Sequence, residues 1–71
     1  MLKEINVSHH QKKKLIKAIK DERVMFVEDN GDVVINVKAY PEFVAQTHHD
    51  PLKSILGDTS LDDNIEYLVI Q

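Results

Sequence analysis

Five lysines crowd one short stretch, Lys12-Lys13-Lys14 followed by Lys17 and Lys20. Ammonium groups at that density suit an anion, and a nucleic-acid phosphate backbone is the natural class. They begin within the first turns of a stretch that reads as a helix, where the helix end already carries partial positive charge and cations are mildly unfavourable. No carboxylate stands four residues before or after Lys12, Lys13 or Lys14. Local helix stability therefore does not account for them, whereas an external anion meeting both ammonium groups and helix-end amides does. No arginine accompanies them to read guanine bidentately. Lys12, Lys13, Lys14, Lys17 and Lys20 form the candidate DNA-binding set; a solubilising surface is the plainer alternative.

Other chemistry has less to work with. The histidines come as adjacent pairs, His9-His10 and His48-His49. Adjacent residues on a helix diverge by about 100°, whereas metal ligands favour separations of three or four residues. No metal site and no cofactor is expected. Ser8, Ser54 and Ser60 stand in no nucleophile-elbow context, and Gly31 and Gly57 are isolated, so no phosphate-cradling loop exists. Asp62 and Asp63 are adjacent and cannot face each other as an acid/base pair. No catalytic residue is assigned, and the chain is not expected to be an enzyme. Without cysteine there is no disulfide, thiolate metal site or thiol nucleophile.

The charge is divided along the chain. Residues 1–20 carry six lysines against Glu4 alone, a balance of +5. Residues 21–71 carry Arg23, Lys38 and Lys53 against eleven carboxylates, a balance of −8. Such asymmetry points to two different partners, one of them anionic. Asp58, Asp62, Asp63 and Glu66 lie before or within a last apolar segment and form the candidate acidic set for a basic protein surface. Seventy-one residues, 42% of them hydrophobic, suffice for one small core and one domain. The longest uncharged apolar runs are far too short to span a bilayer, and Met1-Leu2-Lys3-Glu4 does not resemble a signal peptide. A soluble cytoplasmic protein is expected.

These residues need elements to hold them. Ile5-Asn6-Val7 alternates and predicts a first strand. Ser8-His9-His10-Gln11 has the form of a capping box, so a helix should open at Ser8 and run to about Glu22. Ala18, Leu15, Ile19 and Ile16 share an arc of about 160° that faces the core; Lys13, Lys17 and Lys20 lie opposite, with Lys12 and Lys14 on the flanks. Val24 to Val27 and Val33 to Val37 flank Asn30-Gly31, the preferred pair for a two-residue type I′ hairpin. That turn sets Phe26 opposite Ile35 on the core face and leaves Met25, Val27 and Val34 on a second apolar face. Those three, with Tyr67 and Val69, form the candidate dimer or partner interface. Tyr40-Pro41 starts a short helix, and Asp50, Pro51 and Gly57 bracket another as N-cap, first position and stop. Ile65 to Ile70 reads as a final strand, completing this chain's sheet or adding to a partner's. The expected fold is α+β, a small antiparallel sheet in the order β-α-β-β-α-α-β, with a core unit over 5–45 and an acidic helix-turn-strand segment over 50–71.

Ile5-Asn6-Val7-Ser8, the apolar helix face from Leu15 to Ile19, Asn30-Gly31, Val33 to Val37 and Tyr40-Pro41-Glu42-Phe43 follow in an order that resembles the N-terminal domain of the Phd/YefM antitoxins. In that family a short strand leads into a helix, then a hairpin with an Asn-Gly turn, an apolar strand and an acidic-aromatic helix start. This chain departs where the family commonly has an arginine early in the first helix, having His10, Gln11 and Lys12, and its turn is acidic (Glu28, Asp29, Asp32). Asp29 to Ile35, Leu52 to Gly57 and Ile65 to Val69 also resemble, in order, the swapped-hairpin AbrB/MazE regulators. Both likenesses imply a dimeric regulator that binds operator DNA and, in antitoxins, masks a toxin protein. The expected function is thus a small bacterial or mobile-element antitoxin or transcriptional regulator. The competing expectation is an acidic phage- or plasmid-type inhibitor that blocks a host nuclease or defence enzyme without binding DNA, resting on the −8 balance of residues 21–71.

Overall fold

The computed structural model describes residues 1–57, 61 and 64–71. Four strands, β1 (Leu2–Ile5), β2 (Met25–Val27), β3 (Val33–Asn36) and β4 (Tyr67–Ile70), form one sheet in the order β1-β4-β3-β2. Helices α1 (His9–Ala18) and α2 (Tyr40–Thr47) and a wide π-type turn, Leu52–Leu56, pack on one face. The described residues form a two-layer α+β fold with their helices on one side of the sheet.

The sheet is mixed, not wholly antiparallel. β3 runs antiparallel to both neighbours, but β1 pairs with β4 in parallel. The last strand occupies the centre, between β1 and β3, so it completes this chain's own sheet. β1 also lies earlier than the alternation at Ile5-Asn6-Val7 predicts. Register explains this: Leu2 to Ile5 stand opposite Tyr67 to Ile70, while Asn6 and Val7 lead out to the helix cap.

The capping box forms as expected. The Ser8 Oγ accepts from the Gln11 N–H at 3.1 Å, and the Gln11 Oε1 accepts from the Ser8 N–H at 3.2 Å. α1 ends at Ala18, four residues short of Glu22. Ile19 is extended, and the Asp21 carbonyl accepts from the N–H groups of both Val24 and Met25, each at 3.0 Å. That turn redirects the chain into β2.

The hairpin register differs from the type I′ expectation by one residue. Met25 stands opposite Ile35, Phe26 opposite Val34 and Val27 opposite Val33. The Glu28 N–H donates to the Asp32 carbonyl at 2.8 Å, and the Gly31 N–H donates to the Glu28 carbonyl at 2.9 Å. The result is a three-residue loop, Asp29-Asn30-Gly31, with only Gly31 at positive φ (93°). A type I turn closed by a left-handed glycine makes this loop, whereas a type I′ turn needs positive φ at both central positions. The Asn30 side chain holds it, accepting from the Asp32 N–H at 3.0 Å. Because side chains alternate, the one-residue slip exchanges the faces of β2. Met25 is therefore in the core, and Phe26 is outside.

The core draws on Leu15 and Ile19 from α1, Val33 and Ile35 from β3, Leu68 and Ile70 from β4, with Met25, Tyr40 and Leu52. Asp50 caps the last helical turn as expected, its Oδ1 accepting from the Lys53 N–H at 3.1 Å, and Gly57 ends that turn at φ 81°. Among the described residues, no helix is long and apolar enough to cross a membrane.

Candidate functional site

Two surfaces on opposite sides of the molecule carry the candidate residues. On the helix layer, Lys13, Lys14, Lys17 and Lys20 are exposed, and none forms an ion pair or hydrogen bond with a described residue. Lys12 departs from this set. It is half-buried, and its Nζ donates to the Gly31 carbonyl at 3.3 Å, tying α1 to the hairpin loop. Its helical angle was the available signal: at 100° per residue Lys12 falls between Ile19 and Ile16, inside the apolar arc. The cationic strip is thus four lysines rather than five.

Past the end of α1, the strip borders an open hollow of about 750 Å³ lined by Lys17, Lys20, Arg23, Phe43, Gln46 and His49 among others. Arg23 is not free there. Its Nε and Nη2 donate to the Asp21 carboxylate at 3.2 and 3.1 Å. These hydrogen bonds hold the Asp21 carboxyl below the usual carboxylate range and push the guanidinium up.

On the far side, no helix among the described residues covers the sheet's second face. Register places Phe26, Val34, Val69 and Glu4 in one row across all four strands, with Asn36, Tyr67 and Leu2 in the next. Leu2, Phe26 and Tyr67 are 54%, 47% and 41% exposed, while Val34 in the middle is shielded by its neighbours to 4%. The five predicted interface residues therefore divide. Val34, Tyr67 and Val69 lie on this open face, as the alternation along β3 and β4 implies. Met25, only 7% exposed, is a core residue, and Val27 shares its face but projects at the edge, 47% exposed. Leu2 and Phe26 complete the open face in their place, and the hairpin slip is what hid Phe26.

The carboxylates of the open face lie at its two edges, on β1 and at the β2–β3 hairpin. Glu4 ends the Phe26 row and accepts from the Gln71 side-chain amide. Glu28 and Asp32 stand together at the hairpin end. Glu66, from the predicted acidic set, is exposed and lies 3.9 Å from the Met1 amino group. Asp58, Asp62 and Asp63 lie outside the described residues.

Among the described residues, no group of three His, Asp or Glu side chains converges as a metal site would require. The side chain with the most altered titration, Tyr40, serves the fold. Its hydroxyl donates to the Asp50 Oδ1 at 2.5 Å and accepts from the buried Leu52 N–H at 3.0 Å. Burial, followed by that bond to Asp50, pushes the phenol well above its ordinary range. Gln11 has a second structural task the sequence did not announce: its Nε2 donates to the Ile55 carbonyl at 3.3 Å, joining α1 to the π-type turn.

No family model, curated protein or solved structure matches this chain. What the fold and surfaces define is a class: a small two-layer α+β protein with a cationic helix layer and an open, apolar, acid-ended sheet.

Proposed function

We propose that the chain is a small cytoplasmic regulator of antitoxin type, from a bacterium or a mobile element, that binds DNA through α1 and a protein partner through the open sheet face. The observation that carries this reading is the separation of the two surfaces. Lys13, Lys14, Lys17 and Lys20 project from the helix layer without partners among the described residues. Leu2, Phe26, Val34, Tyr67 and Val69 form an apolar surface on the other side of the sheet. One molecule can therefore hold an anion and a protein at once, as an autoregulating antitoxin must. Phosphate contact through lysines is sequence-tolerant and salt-sensitive. DNA affinity should fall with a log–log salt slope of about −0.9 per phosphate, so about −3 to −4 for four lysines. Lys13→Glu with Lys17→Glu should flatten the slope by about 2, as read in mobility-shift titrations on duplex DNA. A flat salt response in the native chain removes the DNA half of the proposal.

A second reading is favoured by the acidic hairpin end of the open face, where Glu28 and Asp32 adjoin the apolar row. An inhibitor that occupies the basic groove of a host nuclease would use that end as a phosphate mimic. It binds no DNA, and Glu28→Lys with Asp32→Lys abolishes its inhibition.

A further inference from the structure

The β2 edge of the sheet carries an inference that rests on the sheet's geometry and not on DNA binding. The Glu28–Asp32 and Val24–Asn36 hydrogen bonds fix the alternation of the β2–β3 ladder. By that alternation Phe26 exchanges its backbone bonds with β3, and Met25 and Val27 turn theirs outward. The Met25 N–H is taken by the Asp21 carbonyl. The Met25 carbonyl and the Val27 N–H and carbonyl face the open edge. Side chains there are apolar on both faces, with Phe26 on the open face and Val27 on the helix face, each 47% exposed. An open groove of about 590 Å³ runs beside the strand, lined by Ile19, Met25 and Val27 on its apolar side. Residues 25–27 themselves hold no proline or lysine, the usual devices that keep such an edge single; Lys20 and Glu22 line the same groove, toward the α1 end of the strand.

We infer that β2 pairs antiparallel with β2 of a second copy of this chain about a two-fold axis at Phe26, joining two four-stranded sheets into one of eight strands. In that register Val27 of each copy donates to the Met25 carbonyl of the other, which uses two of the outward groups in each copy. Phe26 meets its own counterpart as a non-hydrogen-bonded pair, the arrangement in which side chains approach most closely. Met25 meets Val27 on the helix face. Charge selects this occupant: the ends of β2 differ, with Arg23 before it and Glu28 and Asp29 after it. Antiparallel pairing lays the Arg23 end of each copy beside the carboxylate end of the other. The Arg23 guanidinium is exposed and, with Nε and Nη2 on Asp21, keeps donors for a second carboxylate. The two-fold stands perpendicular to the sheet, so both lysine strips face the same side and the two open faces merge into one.

Light scattering and sedimentation on the full chain without DNA test this. The mass should rise with concentration from 8.2 kDa to twice that value. Phe26→Lys should hold the chain monomeric with unchanged far-ultraviolet circular dichroism. Arg23→Asp and Asp29→Arg should each weaken association about tenfold, and the double exchange should restore it. These surface changes leave the core untouched, so they decide the matter even where Phe26→Lys unfolds the chain. A monomer at every concentration up to millimolar overturns the inference. So does a dimer that ignores the Arg23 and Asp29 changes, or one that Tyr67→Lys dissociates in their place.

Discussion

Tyr40 shows how much of this small protein depends on one hydroxyl. It stands at the start of α2, stacks on Phe43 with ring centroids 5.9 Å apart, and links Asp50 to the buried Leu52 N–H. Tyr40→Phe keeps the ring and removes both bonds. It should cost about 1–3 kcal/mol, mainly because the Leu52 amide is left buried without an acceptor. The same site sets an alkaline limb of stability. A tyrosine in an unfolded chain ionises near pH 10, while burial and Asp50 hold Tyr40 protonated to higher pH in the fold. Above about pH 10 the unfolded chain thus gives up a proton that the folded chain keeps, and stability falls as pH rises. Urea midpoints measured at about pH 8 and pH 10.5 should drop further for the native chain than for Tyr40→Phe. Equal drops would assign the alkaline loss to other groups. At this scale the sequence was only partly legible: Tyr40 could be placed at a helix start, but its bond to Asp50 exists only because the chain folds back. Lys12 was legible in its helical angle.

At the scale of elements, local chemistry predicted well and counting predicted badly. The capping box, the proline-started α2 and the Asp50 and Gly57 brackets each depend on residues within four positions, and each appears in the structure. The hairpin depends on where a turn begins, and Asn30-Gly31 fits two turn types that differ by one residue in register. The observed loop makes Gly31 the point of greatest sensitivity. A Cβ built there meets nothing within 4 Å, so Gly31→Ala tests backbone conformation alone. At φ 93° it should destabilise the protein by about 1 kcal/mol. Asn30→Gly, which frees the two-residue alternative, should broaden the Phe26 and Val27 resonances as registers exchange. A neutral Gly31→Ala, read by urea denaturation, would mean that the loop relaxes out of the left-handed conformation. Register also determined the interface set: Met25 was lost to the core and Phe26 gained by the surface through that single step.

For the whole molecule, the decisive feature is that the last strand is central. β1 and β3 each need β4, and the β1–β4 pairs join residues 65 positions apart, from Leu2 with Tyr67 to Ile5 with Ile70. No local pattern contains that pairing, which is why the order of elements could be read from the sequence but not the parallel step in the sheet. It also means that no subset of the sheet is complete before the chain closes, so folding should be a single cooperative step limited by non-local closure. A chain this size is stabilised by only about 4–10 kcal/mol. Leu68, fully buried on the helix side of β4, and Val69, half-buried on the open side, are adjacent in one strand and point opposite ways. Leu68→Ala should remove about 2–5 kcal/mol, a large part of the total, and melt the sheet as a unit. Val69→Ala should cost about 1 kcal/mol or less in the monomer, because the Val69 face gives up little packing when nothing covers it. Urea unfolding followed by tyrosine fluorescence and by far-ultraviolet circular dichroism should give coincident curves for both variants. If the Val69 cost instead approached that of Leu68 and grew with protein concentration, the open face would already be covered by another copy, and the two-fold would lie across the sheet rather than at its β2 edge.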